Sequence, residues 1–324
     1  MWRLLPRPTD IYCIVLSALG GAIAPALVNA CAFHGYTPEP TLVDRLLATE
    51  QVAIVNIEPE TPGQYVRVET LLGPSVSGMP FPKDIALQGQ GRATATYGVL
   101  LLRDGSYGPW LEAAILDQRF NLLVARILER RQVWQLGHEA DRLAFFAHRV
   151  NDRNPEIRKL ALRELDRAPY GALRQVSLPS IRHLKQALQN DAGELAPIYA
   201  LLAGLSGDRS FSPLLTAKLA SAVQNRTTYL GAYATALIEL EGSRAVSEIL
   251  REYVYEPTLE EDIREKLLGA LAIQHRVADA LTRRAIARGM AELIRRVPDA
   301  QDGVARYFGV RASWALTGAS LNRP

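Results

Sequence analysis

One fifteen-residue stretch, NDRNPEIRKLALREL at residues 151–165, constrains the fold more than any other feature of the sequence. Asn154 can cap a helix, and Pro155 suits the first helical position, where its missing N–H costs no hydrogen bond. Apolar residues then recur on one side of the helix: Ile157, Leu160, Ala161 and Leu165. Charged residues fall on the other: Glu156, Lys159, Arg163 and Arg167. Such an amphipathic helix must bury its apolar face against other segments of the chain.

The helical period continues from His138 towards the C-terminus and predicts a series of helix pairs. The pairs are residues 138–150 with 154–167, 179–189 with 192–206, 211–223 with 227–240, and 243–254 with 257–273, followed by one helix near 276–297. The second helices end in comparable leucines: Leu165, Leu205, Leu240 and Leu271. We therefore predict that residues 132–324 form a helical repeat domain, capped by residues 304–321.

These pairs resemble HEAT repeats, whose signature is an Asp or Asn turn, a proline, an apolar-Arg step and a run of small and apolar residues. In the first pair the family positions are occupied by Asp152, Pro155, Ile157, Arg158 and Ala161. The resemblance implies an α-solenoid in which each repeat is stabilised by its neighbours. It also implies a partner-binding concave wall formed by the second helices.

The preceding part of the chain, residues 31–131, has the pattern of a small β domain. A short helix is expected from Thr41, followed by strands at residues 52–57, 65–72, 85–88, 96–102 and 111–116. Gly and Pro residues between the strands indicate turns. Five short strands favour a small barrel or sandwich, so the predicted fold class is α+β multidomain.

This β part resembles netrin-like domains of the tissue-inhibitor-of-metalloproteinase type. The corresponding pieces are Cys31, the Pro-rich turn at 37–40, the helix at 41–49, the first strand at 51–57, and the later strand at 97–103 with Asp104-Gly105. The resemblance implies an OB-like barrel. It leaves open an inhibitor of an envelope hydrolase that acts through the Cys31 end.

Residues 1–30 have the composition of a secretory signal peptide. Arg3 and Arg7 precede residues 11–28, which contain no charged residue, and small residues follow. A membrane-spanning anchor is the alternative, since the run is close to the required length. The preferred interpretation places the mature protein in the periplasm or cell envelope.

Cys31 is the one cysteine that remains after such a cleavage, because Cys13 lies inside the signal, so no internal disulfide can form. Val28-Asn29-Ala30-Cys31 resembles the processing site of bacterial lipoproteins, which implies a lipidated Cys31 and membrane anchoring. The alternatives are a cysteine that stays free or pairs with another molecule, and a metal site formed with His34.

The remaining composition points to binding and not to catalysis. Lys and Arg number 37 against 34 Asp and Glu, a balance that does not predict nucleic-acid binding. Five histidines are scattered, and His138, Glu139, Asp141 and His148 do not have metal-ligand spacing. We predict no catalytic residue, no metal and no cofactor.

A protein partner in the envelope is then expected on the concave wall. Arg and Tyr are favoured contact residues at protein interfaces. The candidates on this wall are Glu156, Lys159, Arg163, Tyr199, Tyr229 and Tyr233. The alternative from another functional class is an envelope hydrolase with its site between the two domains.

Overall fold

The fold is mostly helical with one small antiparallel sheet, in agreement with the α+β prediction. The computed structural model describes residues 39–57, 65–76, 98–190 and 193–309. The predicted signal peptide, Cys31, the strand at 85–88 and most of the predicted cap lie outside these residues.

The sheet contains four strands within the described residues. They are Gln51–Ile57 (β1), Tyr65–Leu72 (β2), Gly98–Arg103 (β3) and Leu111–Leu116 (β4). The spatial order is β2-β1-β3-β4, and every neighbouring pair is antiparallel. Because successive residues of a strand point to opposite faces, Val52 and Ile54 of β1 join the main core, whereas Val55 belongs to a small cluster on the other face.

Fourteen α-helices lie in the described ranges. They are Leu42–Ala48 (α1), Gln118–Glu129 (α2), Arg131–Gln135 (α3), Glu139–Ala147 (α4), Pro155–Asp166 (α5), Tyr170–Leu173 (α6), Leu184–Gln189 (α7), Ala196–Leu205 (α8), Ser212–Gln224 (α9), Leu230–Glu241 (α10), Ser243–Ile249 (α11), Glu261–Val277 (α12), Ala280–Arg296 (α13) and Gln301–Phe308 (α14). The helix predicted from Thr41 and the individual helices predicted after His138 are present, with ends shifted by a few residues.

Five of the helices after α3 pack in one row. In this row α5 packs on α8, α8 on α10, α10 on α12, and α12 on α14. The other helices pack against it: α4 on α5, α7 on α8, α9 and α11 on α10, and α13 on α12. Of these outer helices, α11 and α13 also pack on each other.

One hydrophobic core runs through both predicted domains. It includes Val43 of α1, Leu100 of β3, Phe146 of α4, Leu237 of α10 and Val304 of α14. The helix α1 is also held at its C-terminal end, where Arg131 and Gln135 donate hydrogen bonds to the carbonyl oxygen of Leu47. The last carbonyl groups of a helix have no hydrogen-bond donor within the helix, and these bonds supply donors to the carbonyl of Leu47.

Helix α2 lies in the part that the sequence pattern assigned to β structure. Asp117 caps it by accepting a hydrogen bond from the backbone N–H of Phe120 at 2.7 Å. Phe120, Leu123, Val124 and Ile127 then recur at helical spacing and are all buried. This helix covers one face of the sheet, since it contacts β2 and β4.

Candidate functional site

A small pocket lies where α1 meets α4, α5 and the residues after α5. We call it the junction pocket; its volume is about 110 Å³. It is lined by five charged residues and three apolar ones: Asp44, Glu139, Arg142, Glu164 and Arg167, with Leu143, Ala168 and Pro169. The pocket is therefore small and mostly charged, with an apolar wall on one side, and it differs from the larger, mostly apolar pockets that hold small-molecule ligands.

Arg142 bridges two carboxylates at this junction. Its Nε lies 2.6 Å from Glu164 Oε2, and its Nη2 lies 2.9 Å from Asp44 Oδ1. Arg167 forms a second ion pair with Asp44, through Oδ2. Burial lowers the pKa of the Arg167 guanidinium, but its partner is a carboxylate and it remains the cation of the pair.

The position of Asp44 follows from the way in which α1 begins. Thr41 Oγ1 accepts a hydrogen bond from the Asp44 N–H at 3.2 Å, and the Thr41 N–H donates to Asp44 Oδ2 at 2.7 Å. This reciprocal capping box fixes the Asp44 carboxylate at the first turn. The helical part thus contacts a carboxylate whose orientation is fixed by bonds within α1 itself.

Glu164 is the unusual member of the group. Glu164 is only 3% exposed. Its second carboxylate oxygen, Oε1, has no hydrogen-bond partner among the described residues. A buried carboxylate oxygen without a donor is costly, because it has lost its water without gaining a partner. Glu164 is one of the residues that line the junction pocket, although Oε1 itself is shielded from solvent.

A second polar cluster is formed by the connection between α5 and α7. We call residues 168–178, which include α6, the strap. Tyr170 Oη donates to Glu239 Oε2 at 2.8 Å, and Arg174 Nη2 donates to Glu239 Oε1 at 2.8 Å. Arg174 Nη1 also donates to the carbonyl oxygen of Val277 at 2.8 Å. The strap therefore lies against α10 and the end of α12.

The pKa of Tyr170 in the strap is shifted by its burial and by the neighbouring carboxylate. Burial first, and then the charge of Glu239, raise the pKa of Tyr170 well above its usual value. Gln274 of α12 joins the cluster by donating to Thr235 O at 3.0 Å and to Glu239 Oε2 at 3.1 Å. The cluster thus connects the strap with two helices that follow it much later in the sequence.

The three charged candidates on α5 lie together near its solvent side. Arg163 Nη2 is 2.7 Å and Lys159 Nζ is 3.4 Å from the same Glu194 oxygen, and Glu156 is exposed. The hydrogen bond from Arg163 lowers the pKa of Glu194. Lys159 and Arg163 remain accessible, with side chains 46% and 43% exposed.

The three tyrosine candidates are less accessible than the sequence pattern predicted. Tyr199 and Tyr229 are half-buried and pack against the core. Tyr233 is 5% exposed and belongs to the core itself, so the expectation that it is exposed was wrong. The reason is that α10 is enclosed by α8, α9 and α12 and contacts the strap through Glu239, whereas an open wall would leave one side of α10 in solvent.

Across the described ranges no group of three or more His, Cys, Asp or Glu side chains has the geometry to hold a metal ion. Among the helices of these ranges, none is both long enough and apolar enough to cross a bilayer.

The chain matches no known family model. Neither a curated protein nor a solved structure shows significant similarity to it.

The sequence pattern missed the junction pocket, although one signal was present. Glu164 follows Ile157 by seven residues and Ala161 by three, so it falls on the apolar side of α5. A carboxylate at such a position requires a buried cation, and Arg142 supplies it. Nothing in the sequence indicated that Asp44, nearly one hundred residues earlier, would share this cation.

Proposed function

We propose that the protein is an exported protein-binding or scaffold module of the cell envelope. In this proposal a small OB-like or netrin-like β domain precedes a HEAT-type α-solenoid. Support comes from the row of consecutively packed helices α5, α8, α10, α12 and α14, because a solenoid is built from repeats that contact mainly their neighbours. Lipidation of Cys31 would anchor the module to the membrane.

The observation that carries the binding proposal is the accessible charged group on α5. Lys159, Arg163 and Glu194 form an exposed cluster in the row of second helices, whereas α10 of that row is almost completely buried. A partner that approaches this row therefore meets α5 before it meets α10. Exposed arginines of this kind are favoured anchors at protein interfaces.

The test is capture of envelope proteins on the purified full chain and on a charge-reversal variant. Lys159→Glu with Arg163→Glu is expected to abolish capture of a specific partner while the fold is retained, because both side chains are partly exposed. Arg244→Glu with Arg251→Glu is the matched control, since these exposed arginines lie on and just after α11, which is outside this row. Equal capture by both variants and the unmodified chain would overturn the α5 assignment.

The hydrolase alternative has one observation in its favour, which is the convergence of carboxylates between the two predicted domains. Asp44, Glu139 and Glu164 all line the junction pocket. A carboxylate facing a pocket can act as a general base. Hydrolysis of an envelope substrate that is lost in Glu164→Gln and retained in Glu129→Gln would establish this alternative over the binding module.

The inhibitor alternative depends on the mature N-terminus, which lies outside the described residues. Mass spectrometry of the protein purified from membranes measures the first residue and any acyl group on it. An acylated Cys31 would support anchoring and exclude the free α-amino group that a chelating inhibitor needs.

A further inference from the structure

We propose that the exposed side of α13 binds the surface of an anionic phospholipid bilayer. The proposal goes beyond the proposed protein-binding function and takes from it only the location of the mature chain in the cell envelope. Helix α13 would then contact the membrane in addition to the proposed anchor at the N-terminus.

Positive charge is concentrated on α13 and the end of α12. Residues 276–296 contain six arginines against two carboxylates, Asp279 and Glu292. Their formal charge of +4 exceeds the +3 of the whole chain, so all other residues together carry one formal negative charge. Attraction to an anionic surface therefore comes from this stretch and not from the chain as a whole.

Both carboxylates of this stretch are already engaged. Asp279 caps α13 by accepting hydrogen bonds from two backbone N–H groups of the first turn, at 2.8 and 3.0 Å. Glu292 is shared by Arg295 and Arg296. Neither carboxylate is therefore available to neutralise the other arginines of α13.

Three arginines of α13 have no partner among the described residues. They are exposed, and no hydrogen bond or ion pair engages them in that part of the chain: Arg283, Arg284 and Arg288. Arg284 and Arg288 are four residues apart, so they are neighbours on the helix surface, where like charges repel. An anion bound by both removes this repulsion. Guanidinium groups bind phosphate oxygens bidentately, which makes a phosphate group the matching anion.

An exposed leucine lies beside these arginines. Leu281 is 64% exposed and precedes Arg284 by three residues and Arg288 by seven, which is the spacing of one helix face. The buried side of α13, with Ile286 and Met290, packs on α11 and α12, so Arg284 lies on the opposite side. A basic helix face with an exposed apolar residue is typical of a helix that lies in the interface of an anionic membrane.

The shape and composition of α13 favour a bilayer over a nucleic acid. The helix has 17 residues and is therefore about 25 Å long, so its arginines can contact several lipid headgroups of a flat surface at once. Residues 276–296 contain no aromatic side chain on which a base could stack. The methyl groups of Leu281 gain nothing from a phosphate backbone, but they can enter the boundary of the acyl chains.

The experiment is cosedimentation of the full chain with phosphatidylcholine vesicles that either contain or lack phosphatidylglycerol. We expect tighter binding to the anionic vesicles and a loss of this difference at high salt. Arg284→Gln with Arg288→Gln is expected to weaken anionic binding about tenfold or more, because each arginine near an anionic surface contributes a factor of about five. Arg119→Gln with Arg126→Gln is the matched control, since it removes two exposed arginines of α2 and should leave the binding unchanged.

A leucine variant separates a bilayer from an acidic protein as the partner. Leu281→Ser is expected to weaken binding to anionic vesicles about threefold or more, because an apolar contact is lost, and to leave binding of polyglutamate unchanged. Leu122→Ser is the control, since Leu122 of α2 is also 64% exposed. Polyglutamate bound as tightly as the vesicles, with no effect of Leu281→Ser on either, would assign the face to an acidic protein and overturn the proposal.

A nitroxide label keeps the proposal testable if the N-terminal segment binds both kinds of vesicle. It is attached at Leu281→Cys in a chain with Cys13→Ser and Cys31→Ser, and membrane-soluble oxygen should reach it on anionic vesicles only. Equal oxygen accessibility on both vesicles, or full anionic binding by Arg284→Gln with Arg288→Gln, would overturn the proposal. Because no partner protein takes part in these assays, their failure is distinct from failure of the capture experiment.

Discussion

Glu164 is a buried carboxylate that lowers the stability of the fold and also lines the junction pocket. It lies on the buried side of α5, where the periodicity of the helix calls for an apolar residue. Arg142 neutralises its charge, but half of the carboxylate remains without a hydrogen bond in the described structure. Such positions are expected at sites where stability is given up for binding.

Replacement of Glu164 by leucine tests the structural half of this interpretation. The single variant should lower the free energy of unfolding by about 2 kcal/mol. This is less than the roughly 3 to 5 kcal/mol for a fully buried pair, because Arg142 keeps Asp44. Denaturant melts of Glu164→Leu, Arg142→Met and the double variant measure the coupling, and the double variant should cost less than the sum.

The exposed pair of Arg126 and Glu129 provides the control for that cycle. Both side chains are more than half exposed, so Glu129→Leu should change the stability by about 0.5 kcal/mol or less. Equal losses for Glu164→Leu and Glu129→Leu would show that the junction pair contributes nothing specific.

The Glu194 carboxyl offers a pH prediction at the same scale. Its hydrogen bond from Arg163 lowers its pKa, so the stability that it contributes is present above its unfolded pKa and is lost as the pH falls through the folded value. NMR titration should find the pKa of Glu194 below its usual range and closer to that range in Arg163→Gln. An unchanged titration in this variant would contradict the pairing.

At the scale of elements, the sequence predicted the helices well where a cap and an apolar period coincide. The cap of α5 is confirmed, since Asn154 accepts hydrogen bonds from the N–H groups of Glu156 and Ile157. Helix α2 was missed although it has both signals, because the strand signals on either side of residue 100 dominated the interpretation. The strap could not be predicted, because its contacts join Tyr170 to Glu239 and their register depends on how the helices pack.

The same limit applies to the candidate site. Local pattern correctly placed Glu156, Lys159 and Arg163 on the charged side of α5. It placed Tyr233 wrongly, because a helix with neighbours on both sides and a segment across it has no exposed face. The burial of a side chain depends on helices that are distant in the sequence. The apolar period of a single helix gives no information about them.

Gly204 marks a close approach of α8 to α10. A Cβ atom at this position would lie 2.7 Å from Ala236 Cα and 2.9 Å from Ala236 O, which are backbone atoms that cannot move cheaply. Gly204→Ala should therefore lower stability by about 1 to 2 kcal/mol, since overpacking exceeds the gain in helix propensity. Gly171→Ala is the matched control, because its nearest contact is an ordinary 3.8 Å to Val277 Cγ1.

Thermal melts of the two alanine variants measure the difference. A melting temperature for Gly204→Ala that equals that of Gly171→Ala would contradict the close packing of α8 on α10.

The strap predicts a specific loss of stability at alkaline pH. Above about pH 10 the unfolded chain releases the Tyr170 proton while the folded chain retains it, so the free energy of unfolding falls as the pH rises. In Tyr170→Phe this contribution is absent, and the variant should lose about 1 to 3 kcal/mol near neutral pH through its lost hydrogen bond. The stability gap between the two proteins should stay constant below about pH 9 and narrow as the pH rises above about 10, the unfolded pKa of tyrosine.

Melting temperatures of the unmodified protein and of Tyr170→Phe at alkaline pH measure whether the stability gap narrows as the pH rises. All other titrating groups are the same in the two proteins. A gap that stays constant with pH would show that Tyr170 titrates equally in the folded and unfolded chains.

At the scale of the whole molecule, one core connects the sheet to the last described helix. Leu160 is 6% exposed within that core, so Leu160→Asp buries a charge and should abolish cooperative folding of the helical part and of the sheet packed on it. Leu281→Asp is the control, because Leu281 is 64% exposed and should tolerate the change. Circular dichroism melts distinguish them, and an unchanged melt for Leu160→Asp would contradict the continuous core.

The strap also constrains the order of events during synthesis. Tyr170 and Arg174 leave the ribosome well before Glu239 and Val277, the residues that they contact in the finished protein. Tyr170 must therefore wait for 69 further residues before Glu239 is made, and Arg174 must wait for 103 before Val277 is made. A chain that stops before α10 lacks Glu239 altogether, so the Tyr170 ring and the Arg174 guanidinium would stay solvated in the middle of the nascent chain.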